Sequence, residues 1–349
     1  MRISAAIFGC SGLELNEQER EFFQKTQPFG FILFGRNIDT PAQVTALVSQ
    51  LKSCVSHDDV PVLIDQEGGR VRRLRPPHWP EYHSGSLIGQ RYKQDKAVGQ
   101  RLAWLQSRLM AFDLARLGIN VDCLPVLDVP VPGSHDVIGD RAYGTDAETI
   151  TCLGRAACVG MLDGGVLPVI KHIPGHGRAG SDSHMELPRV GTPLDELKAT
   201  DFVPFQQLSA MPMAMTAHVV YEAIDPDFPA TTSKTIIDEI IRGVIGFDGL
   251  LMCDDIAMHA LSGNFSSRTR LAIEAGCDVV LHCNGNIAQM EEVAGVLPDL
   301  KGQALKRAQN AFERISGNTK PVDEMQLRDE FAELIGDKSY EADPTEVIA

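Results

Sequence analysis

Eight short apolar runs alternate with stretches of helical periodicity along this 349-residue chain, and the alternation limits the folds that it can adopt. Near-continuous apolar strands separated by helices predict a parallel sheet that is covered on both faces. Eight such units in a chain of this length favour an α/β fold, a (β/α)8 TIM-type barrel built as a single domain. The predicted strands are Ser4–Phe8, Gly30–Phe34, Pro61–Asp65, Val121–Asp128, Leu167–His172, Ala214–Val220, Leu250–Asp254 and Asp278–His282.

The competing architecture is a doubly wound open sheet, which a Gly-rich phosphate loop after the first strand would favour. The segment Gly9-Cys10-Ser11-Gly12 lacks the G-x-G-x-x-G spacing of such a loop, so we favour the barrel. We expect the barrel to occupy residues 1–318. Residues 319–349 are expected to form a C-terminal tail, with a closing helix followed by a flexible end.

Helix-entry signals support the alternation of strands and helices. A hydroxyl cap followed by proline in the first turn is typical of a helix start. Residues 101–117 show the spacing of an amphipathic helix. The predicted starts are Thr40 before Pro41, Thr192 before Pro193, and Ser233 before the apolar run 236–241.

The composition limits the partners and the compartment. The formal net charge is −15, which excludes nucleic acid because phosphate binding needs a basic surface. Eight cysteines without a C-x-x-C pair predict buried thiols in a reducing compartment, and hence a cytoplasmic protein. No apolar run is long enough to cross a bilayer, and the one near the start is too short for a signal peptide. We therefore expect no membrane partner.

Polar side chains gather where the predicted strands end, which is where the active sites of barrels lie. One concave mouth that collects carboxylates, arginines, a lysine and histidines suits a polyhydroxylated ligand. The pair Gly68-Gly69 is expected to let the backbone approach such a ligand closely. The strand-end residues are Asp65, Glu67 and Arg70 after strand three, Asp128 and Arg141 after strand four, Lys171 and His172 on strand five, Thr216 and His218 on strand six, and Asp254 and Asp255 on strand seven.

The segment Lys171–His184 concentrates three histidines, a lysine and an aspartate within fourteen residues. One interpretation is a metal site built from His172, His176 and His184, but no ligand spacing supports it and Lys171 would repel a cation. A second is a purely structural role for these side chains. A third is glycosyl transfer, in which a carboxylate attacks the anomeric carbon and a second group handles the proton.

A family resemblance favours the third interpretation. The segment Lys171–His184 closely resembles the K-H-[FI]-P-G-H-G-x4-D-[ST]-H signature of family-3 glycoside hydrolases of the β-N-acetylglucosaminidase type. The resemblance spans about residues 1–310 and is greatest to the single-domain, cytoplasmic, peptidoglycan-recycling type. Further matching segments are Ile64–Val71, Asn120–Pro125 followed by Arg141, Met215–His218, and Gly249–Asp255.

The resemblance implies a role for each site residue. Asp254 is implied as the nucleophile, whereas strand alternation alone says only that Asp254 and Asp255 face opposite ways. The dyad Asp182–His184 is implied to supply the acid/base, in place of the second carboxylic acid that two-domain members take from an additional domain. The substrate-binding residues implied are Asp65, Arg70, Arg141, Lys171 and His172.

Other positions receive supporting or structural interpretations. Arg70 is expected to hold Asp65 or its loop, and Arg73 is interpreted as a solvated charge. His176 is expected to shape the loop, and His218 either shapes the base of the site or is a core histidine. The sequence departs from the family at Cys253, where Ser or Thr is usual, and at Val244, which more often carries a charged or amide residue.

The sequence thus predicts an exo-acting, retaining β-N-acetylglucosaminidase that removes terminal N-acetylglucosamine from muropeptide fragments. It is expected to work as a monomer without a cofactor or a metal. Three alternatives stay open at this stage: a catalytically inactive sugar-binding protein, an N-acetylglucosaminide phosphorylase, and a metal-dependent hydrolase.

Overall fold

Eight parallel strands close into a barrel in the computed structural model, which describes residues 2–183, 185–317 and 322–336. The predicted (β/α)8 barrel is therefore confirmed. Around the barrel the strands follow the order β1-β2-β3-β4-β5-β7-β9-β10, and β10 pairs again with β1. Two short strands, β6 and β8, pair outside the barrel. The strands are β1 (Ser4–Gly9), β2 (Pro28–Leu33), β3 (Val62–Ile64), β4 (Val121–Asp122), β5 (Leu167–Ile173), β6 (Arg189–Val190), β7 (Met213–Thr216), β8 (Val220–Tyr221), β9 (Leu250–Asp255) and β10 (Val279–His282).

Helices surround the barrel and bury the outer faces of the strands, which is why every residue of β1, β2 and β5 is buried. The α-helices are α1 (Glu17–Thr26), α2 (Pro41–Ser53), α3 (Gly85–Gln94), α4 (Lys96–Arg116), α5 (Ala147–Asp163), α6 (Leu194–Ala199), α7 (Val203–Gln207), α8 (Phe265–Ala275), α9 (Ile287–Ala294), α10 (Gly302–Glu313) and α11 (Glu324–Ile335). A π-helix spans Ile236–Val244, and three short 3-10 helices span Gly35–Asn37, Gly139–Arg141 and Ala230–Thr232.

Each predicted strand has its counterpart in the barrel, but two predictions were too long. The predicted strand Val121–Asp128 stops as β4 at Asp122, because Pro125 has no N–H with which to continue the ladder. Only Val126 returns to pair with Lys171 as an isolated bridge. The predicted strand Ala214–Val220 divides into β7 of the barrel and the outer strand β8.

The predicted helix starts have different outcomes. Thr40 caps α2 by accepting the N–H of Gln43 at 3.3 Å. Ser233 accepts the N–H of Ile236 at 3.1 Å and so begins the apolar helical run that was predicted after it. A helix does begin next to Thr192, because α6 starts at Leu194, but Pro193 takes the cap position and the predicted hydroxyl cap is wrong.

Helix α11 packs on α4, and its residues Leu327, Phe331 and Ile335 are buried. It falls in the predicted tail 319–349, and the flexible end predicted after the closing helix lies outside the described part of the chain. The division at residue 318 stays a prediction. All eight cysteines are free thiols, and only Cys152 among them is not buried. Among the described helices, none has the length and apolar character needed to span a membrane.

Candidate active site

A cavity of about 180 Å³ opens at the C-terminal ends of the barrel strands. It is smaller than the roughly 300–1,000 Å³ of sites for drug-sized ligands, so it suits a single small ring. Arg70 and Asp182, both predicted site residues, lie outside its lining. The predicted residues that it brings together are Asp65, Arg141, Lys171, His172 and Asp254.

An ion cluster forms one wall of the cavity. The Lys171 Nζ lies 3.0 Å from Asp65 Oδ1 and 2.6 Å from Glu67 Oε1. Arg141 binds the Glu67 carboxylate with two parallel hydrogen bonds of 2.8 Å. The side chains of Glu67 and Lys171 are only 3% and 2% exposed. The sequence predicts a strand-end position for Glu67 but gives it no role, whereas the structure shows that it joins the two predicted cations Lys171 and Arg141.

The neighbouring charges keep every member of this cluster ionised. Burial acts to raise the pKa of Asp65, but the charges of Lys171 and Arg73 outweigh it and hold that pKa well below its usual range. Burial likewise opposes ionisation of Glu67, whose pKa nevertheless falls to about 2 beside Arg141 and Lys171. Burial acts to lower the pKa of Lys171, and the two carboxylates raise it instead. The wall therefore offers fixed charges of both signs.

Arg73, not Arg70, reaches the cavity. The Arg73 Nη2 donates to Asp65 Oδ2 at 3.0 Å, and its guanidinium lies over the Phe34 ring. Arg70 instead contacts Asp136 and, at 3.0 Å through its Nε, Asp140. Of the two expectations for Arg70, the contacts fit the one in which it holds its loop, and they contradict the one in which it holds Asp65. The interpretation of Arg73 as a solvated charge is wrong.

A tight hairpin after β3 brings Arg73 back to Asp65. The Gln66 Oε1 accepts the backbone N–H groups of Arg73 at 2.9 Å and Leu74 at 3.0 Å. The backbone N–H of Gln66 donates to Oδ1 of the fully buried Asp122 on β4 at 2.9 Å. Arg73 lies close to Asp65 because the Gln66 side chain holds the two ends of the hairpin together. The spacing of the two residues in the sequence does not predict this contact.

Gly68 and Gly69 turn this hairpin with φ values of 90° and 58°, which only glycine adopts readily. A Cβ on Gly68 would lie 2.2 Å from the His83 carbonyl oxygen, and one on Gly69 would lie 2.7 Å from the Ser84 Cβ. The close approach that requires these glycines is thus to the 82–84 segment of the chain, rather than to a ligand as predicted.

Asp128 organises the start of the loop that follows β5. It is fully buried, and its Oδ2 lies 2.7 Å from His172 Nδ1. Its Oδ1 accepts the backbone N–H groups of His172 at 3.1 Å and His176 at 2.6 Å. Burial opposes ionisation, but the neighbouring His172 lowers the pKa of Asp128 to about 2. One carboxylate therefore fixes both the ring of His172 and the turn after it.

His176 has the contacts of a loop-shaping residue. Its Nε2 lies 3.1 Å from Ser183 Oγ, and burial together with the charge of His172 lowers its pKa to about 4. The backbone carbonyl of Asp182 accepts the N–H groups of Met185 at 2.9 Å and Glu186 at 3.0 Å. The predicted acid/base His184 lies outside the described residues.

A bulge in β9 brings both Asp254 and Asp255 to the cavity, although strict alternation allowed only one. Val279 pairs with Met252 but Leu281 pairs with Asp255, so β9 has one residue more than β10 over this stretch. The expectation that the two carboxylates face opposite ways is wrong for this reason.

Asp255 fixes the chain beside Asp254. Its Oδ1 accepts the N–H groups of Ala257 at 2.9 Å and Cys283 at 3.2 Å. Burial raises the pKa of Asp255 to about 6, and the Asp254 charge acts in the same direction. The buried His218 places its Nε2 3.0 Å from the Asp255 carbonyl oxygen, which gives this histidine a supporting place at the base of the site.

Cys253 takes part in the same bulge. Its sulfur accepts the N–H of Leu281 at 3.1 Å, and the side chain is fully buried. The thiol that stands where the family usually has Ser or Thr thus acts here as a hydrogen-bond acceptor.

Among the residues that the structure describes, no group of three His, Cys, Asp or Glu side chains is placed so that it could hold a metal ion. Of the histidines in the metal interpretation, His172 is engaged by Asp128 and His176 by Ser183, and His184 is outside the described part.

Comparison with known proteins gives one consistent family. The Glycosyl hydrolase family 3 N terminal domain matches residues 4–317. A Beta-hexosaminidase of Alkalilimnicola ehrlichii is 38% identical over 288 residues, which cover 81% of this chain and 82% of that protein. A Beta-hexosaminidase of Aromatoleum aromaticum is 32% identical over 345 residues and 96% of each chain.

Solved structures agree with these sequence relatives. NagZ from Neisseria gonorrhoeae, in complex with N-trifluoroacetyl-D-glucosamine, superposes with a TM-score of 0.85 and 30% identity over 96% of this chain and 98% of that one. A glycoside hydrolase family 3 beta-N-acetylglucosaminidase from Paenibacillus sp. str. FPU-7 has a TM-score of 0.84 and 29% identity over 95% of this chain and 67% of that one.

The ion cluster predicts a pH-dependent effect of Glu67→Gln. The folded pKa of Glu67 lies below its ordinary value of 4.5, so its stabilisation is complete above that pH and is lost as the pH falls toward about 2. Removing one partner of a buried pair should lower the free energy of unfolding by about 3 kcal/mol at pH 7. The difference from wild type should be roughly 1 kcal/mol smaller at pH 3.5, measured by urea unfolding.

The matched control is Glu81→Gln. Glu81 also pairs with an arginine of this region, Arg72, but its side chain is 59% exposed. Its loss should cost less than about 1 kcal/mol at either pH. A Glu67→Gln deficit that stays constant or grows as the pH falls would contradict the assignment.

Proposed function

This chain belongs to glycosyl hydrolase family 3 and is a glycoside hydrolase, and we propose that it acts as an exo-acting, retaining β-N-acetylglucosaminidase. The observation that carries the proposal is that the Asp254 carboxylate lines the same small cavity as the Asp65–Lys171 ion pair. The Beta-hexosaminidase relatives and the N-trifluoroacetyl-D-glucosamine complex of the Neisseria NagZ support an N-acetylated hexosamine as the bound sugar.

The ion cluster supplies the groups that a sugar needs. Each sugar hydroxyl can donate and accept a hydrogen bond, so a wall with carboxylates and cations side by side matches several hydroxyls at once. Asp65 accepts, Arg73, Arg141 and Lys171 donate, and the His172 ring lines the same cavity. A cavity with room for one small ring supports removal of single terminal residues, which is exo action.

Asp254 is proposed as the nucleophile. Its carboxylate attacks the anomeric carbon, a C–O ester bond to the enzyme forms, and the bond to the leaving glycosidic oxygen breaks. The sugar-binding groups hold the ring so that attack is intramolecular, which lowers the barrier through orientation. The N–H of Asp255 donates to Asp254 Oδ1 at 2.8 Å, and this contact helps to orient the carboxylate.

The dyad Asp182–His184 is proposed to move the proton, by family resemblance. His184 gives its proton to the departing oxygen as the glycosyl-enzyme forms. It then takes a proton from the incoming water, whose oxygen attacks the anomeric carbon and frees Asp254. Asp182 orients the imidazole and stabilises its cationic form. Two displacements at the same carbon retain its configuration.

The proposed substrate is a muropeptide fragment that carries a terminal N-acetylglucosamine, and the proposed acceptor is water. The eight free thiols support a reducing compartment such as the cytoplasm, where fragments of the cell wall would be recycled. The proposals for the substrate and for the acceptor both rest on the family resemblance of the Lys171–His184 segment.

Asp254→Asn should abolish turnover of an aryl N-acetyl-β-glucosaminide. Removing the nucleophile while keeping its size should lower kcat by about 10³-fold or more, with the sugar still bound. The control is Asp248→Asn, whose side chain is 74% exposed and pairs with Arg307 away from the cavity. Turnover by Asp254→Asn at the wild-type rate would show that Asp254 is not the nucleophile.

His184→Ala should impair natural substrates more than activated ones. A disaccharide leaving group needs protonation, so its glycosylation rate should fall by about 10²–10⁴-fold. A nitrophenolate leaves without a proton, so its glycosylation rate, measured in single-turnover experiments, should fall far less. Equal losses with both leaving groups would count against His184 as the acid.

A further inference from the structure

Helix α11 is linked to the hairpin behind the cavity wall by a chain of polar contacts, in which Tyr82 and Asp113 are buried and the Arg328 side chain is 14% exposed. On α11, Arg328 Nη2 donates to Asp113 Oδ1 of α4 at 2.8 Å. The Asp113 Oδ2 accepts the hydroxyl of Tyr82 at 2.6 Å. Tyr82 is 1% exposed and Asp113 is 7% exposed. We call these three residues the buried triad. They connect a helix beyond the family match, which ends at residue 317, to the 82–84 segment.

The 82–84 segment in turn supports the glycine turn after β3. The backbone N–H of Gly69 donates to the Tyr82 carbonyl oxygen at 2.8 Å. Gln106 on α4 fixes the next residue from both sides, because its amide accepts the His83 N–H at 3.0 Å and donates to the His83 carbonyl at 2.9 Å. With no Cβ on Gly68, the turn lies directly against this segment.

The turn at Gly68 and Gly69 determines the position of Arg73. The backbone N–H of Glu67 donates to the Val71 carbonyl at 2.9 Å, and Gln66 Oε1 fixes the N–H of Arg73. A shift of the Tyr82 backbone would therefore move the hairpin of residues 66–74. That hairpin carries Arg73 against Asp65 and places Glu67 between Arg141 and Lys171.

We propose that helix α11, acting through Tyr82, Asp113 and Arg328, is a positioning element for the sugar-binding hairpin 66–74. None of the three residues lines the cavity, so each acts through the backbone of the hairpin. The bound group that they help to place is a sugar ring, and that part of the inference rests on the proposed function.

Helix α11 also offers a matched control within the same helix pair. Arg101 on α4 binds Glu330 on α11 with two hydrogen bonds of 2.7 Å. The two side chains are 40% and 34% exposed, and the pair includes no residue of the 82–84 segment. Breaking it loosens the contact between α11 and α4 without touching the buried triad.

The test compares Tyr82→Phe and Arg328→Met with Glu330→Gln in the full chain. Contacts that bind the sugar equally well in the ground state and in the transition state contribute to KM and not to kcat. If the triad positions such contacts, breaking the triad should raise KM and leave kcat nearly unchanged. We expect KM for an aryl N-acetyl-β-glucosaminide to rise about three- to tenfold in the two triad variants and to stay at the wild-type value in Glu330→Gln. Arg328→Lys should restore part of the binding, because it keeps a donor near Asp113.

Amide hydrogen exchange gives a readout that does not need activity. Exchange in the 66–74 peptide should be faster in Tyr82→Phe and Arg328→Met than in wild type, and unchanged in Glu330→Gln. Unchanged exchange and KM in the triad variants would overturn the inference. Equal changes in Glu330→Gln would overturn it too, because they would show general loosening. If wild type fails to cleave the substrate, the proposed function fails, and hydrogen exchange alone still decides the positioning role.

Discussion

The buried carboxylate of Glu67 holds together the parts of this site that come from different strands. It arrives after β3, and it pairs with Lys171 on β5 and with Arg141 from the loop after β4. Desolvating these charges costs several kcal/mol per ion, which is recovered only when the partners sit in good hydrogen-bonding geometry. The wall of the cavity therefore has one favourable arrangement, and the groups proposed to bind the sugar need little rearrangement to do so.

Backbone hydrogen bonds to carboxylates fix the remaining walls. Asp128 holds the first turn after β5, and Asp255 holds the chain beside Asp254 at the bulge of β9. These contacts give the proposed nucleophile and the proposed sugar-binding residues rigid supports on strand ends, where small displacements cost large factors in rate. The proposed proton-transfer groups come later on the loop after β5, so nucleophile and acid belong to different elements of the barrel.

Regular features were predictable from the sequence, and features that depend on irregular backbone or distant contacts were not. Continuous apolar runs placed all eight barrel strands, and the β5 segment placed Lys171 and His172. Arg73, and not Arg70, lies against Asp65, because the chain turns back at Gly68 and Gly69 with positive φ, which the spacing of residues does not reveal. The bulge in β9 is likewise not predicted by the alternation of side chains along a regular strand. Arg328 and Asp113 lie 215 positions apart, beyond any local pattern.

The central claim is that Asp254 attacks the sugar and forms a covalent intermediate. A slow fluorinated N-acetylglucosaminide should therefore leave a glycosyl group on the protein, detected by mass spectrometry in the tryptic peptide 243–268. Fragmentation should place the added mass on Asp254 and not on the neighbouring Asp255. Full turnover of the ordinary substrate without any trapped adduct, or an adduct on another residue, would contradict the account.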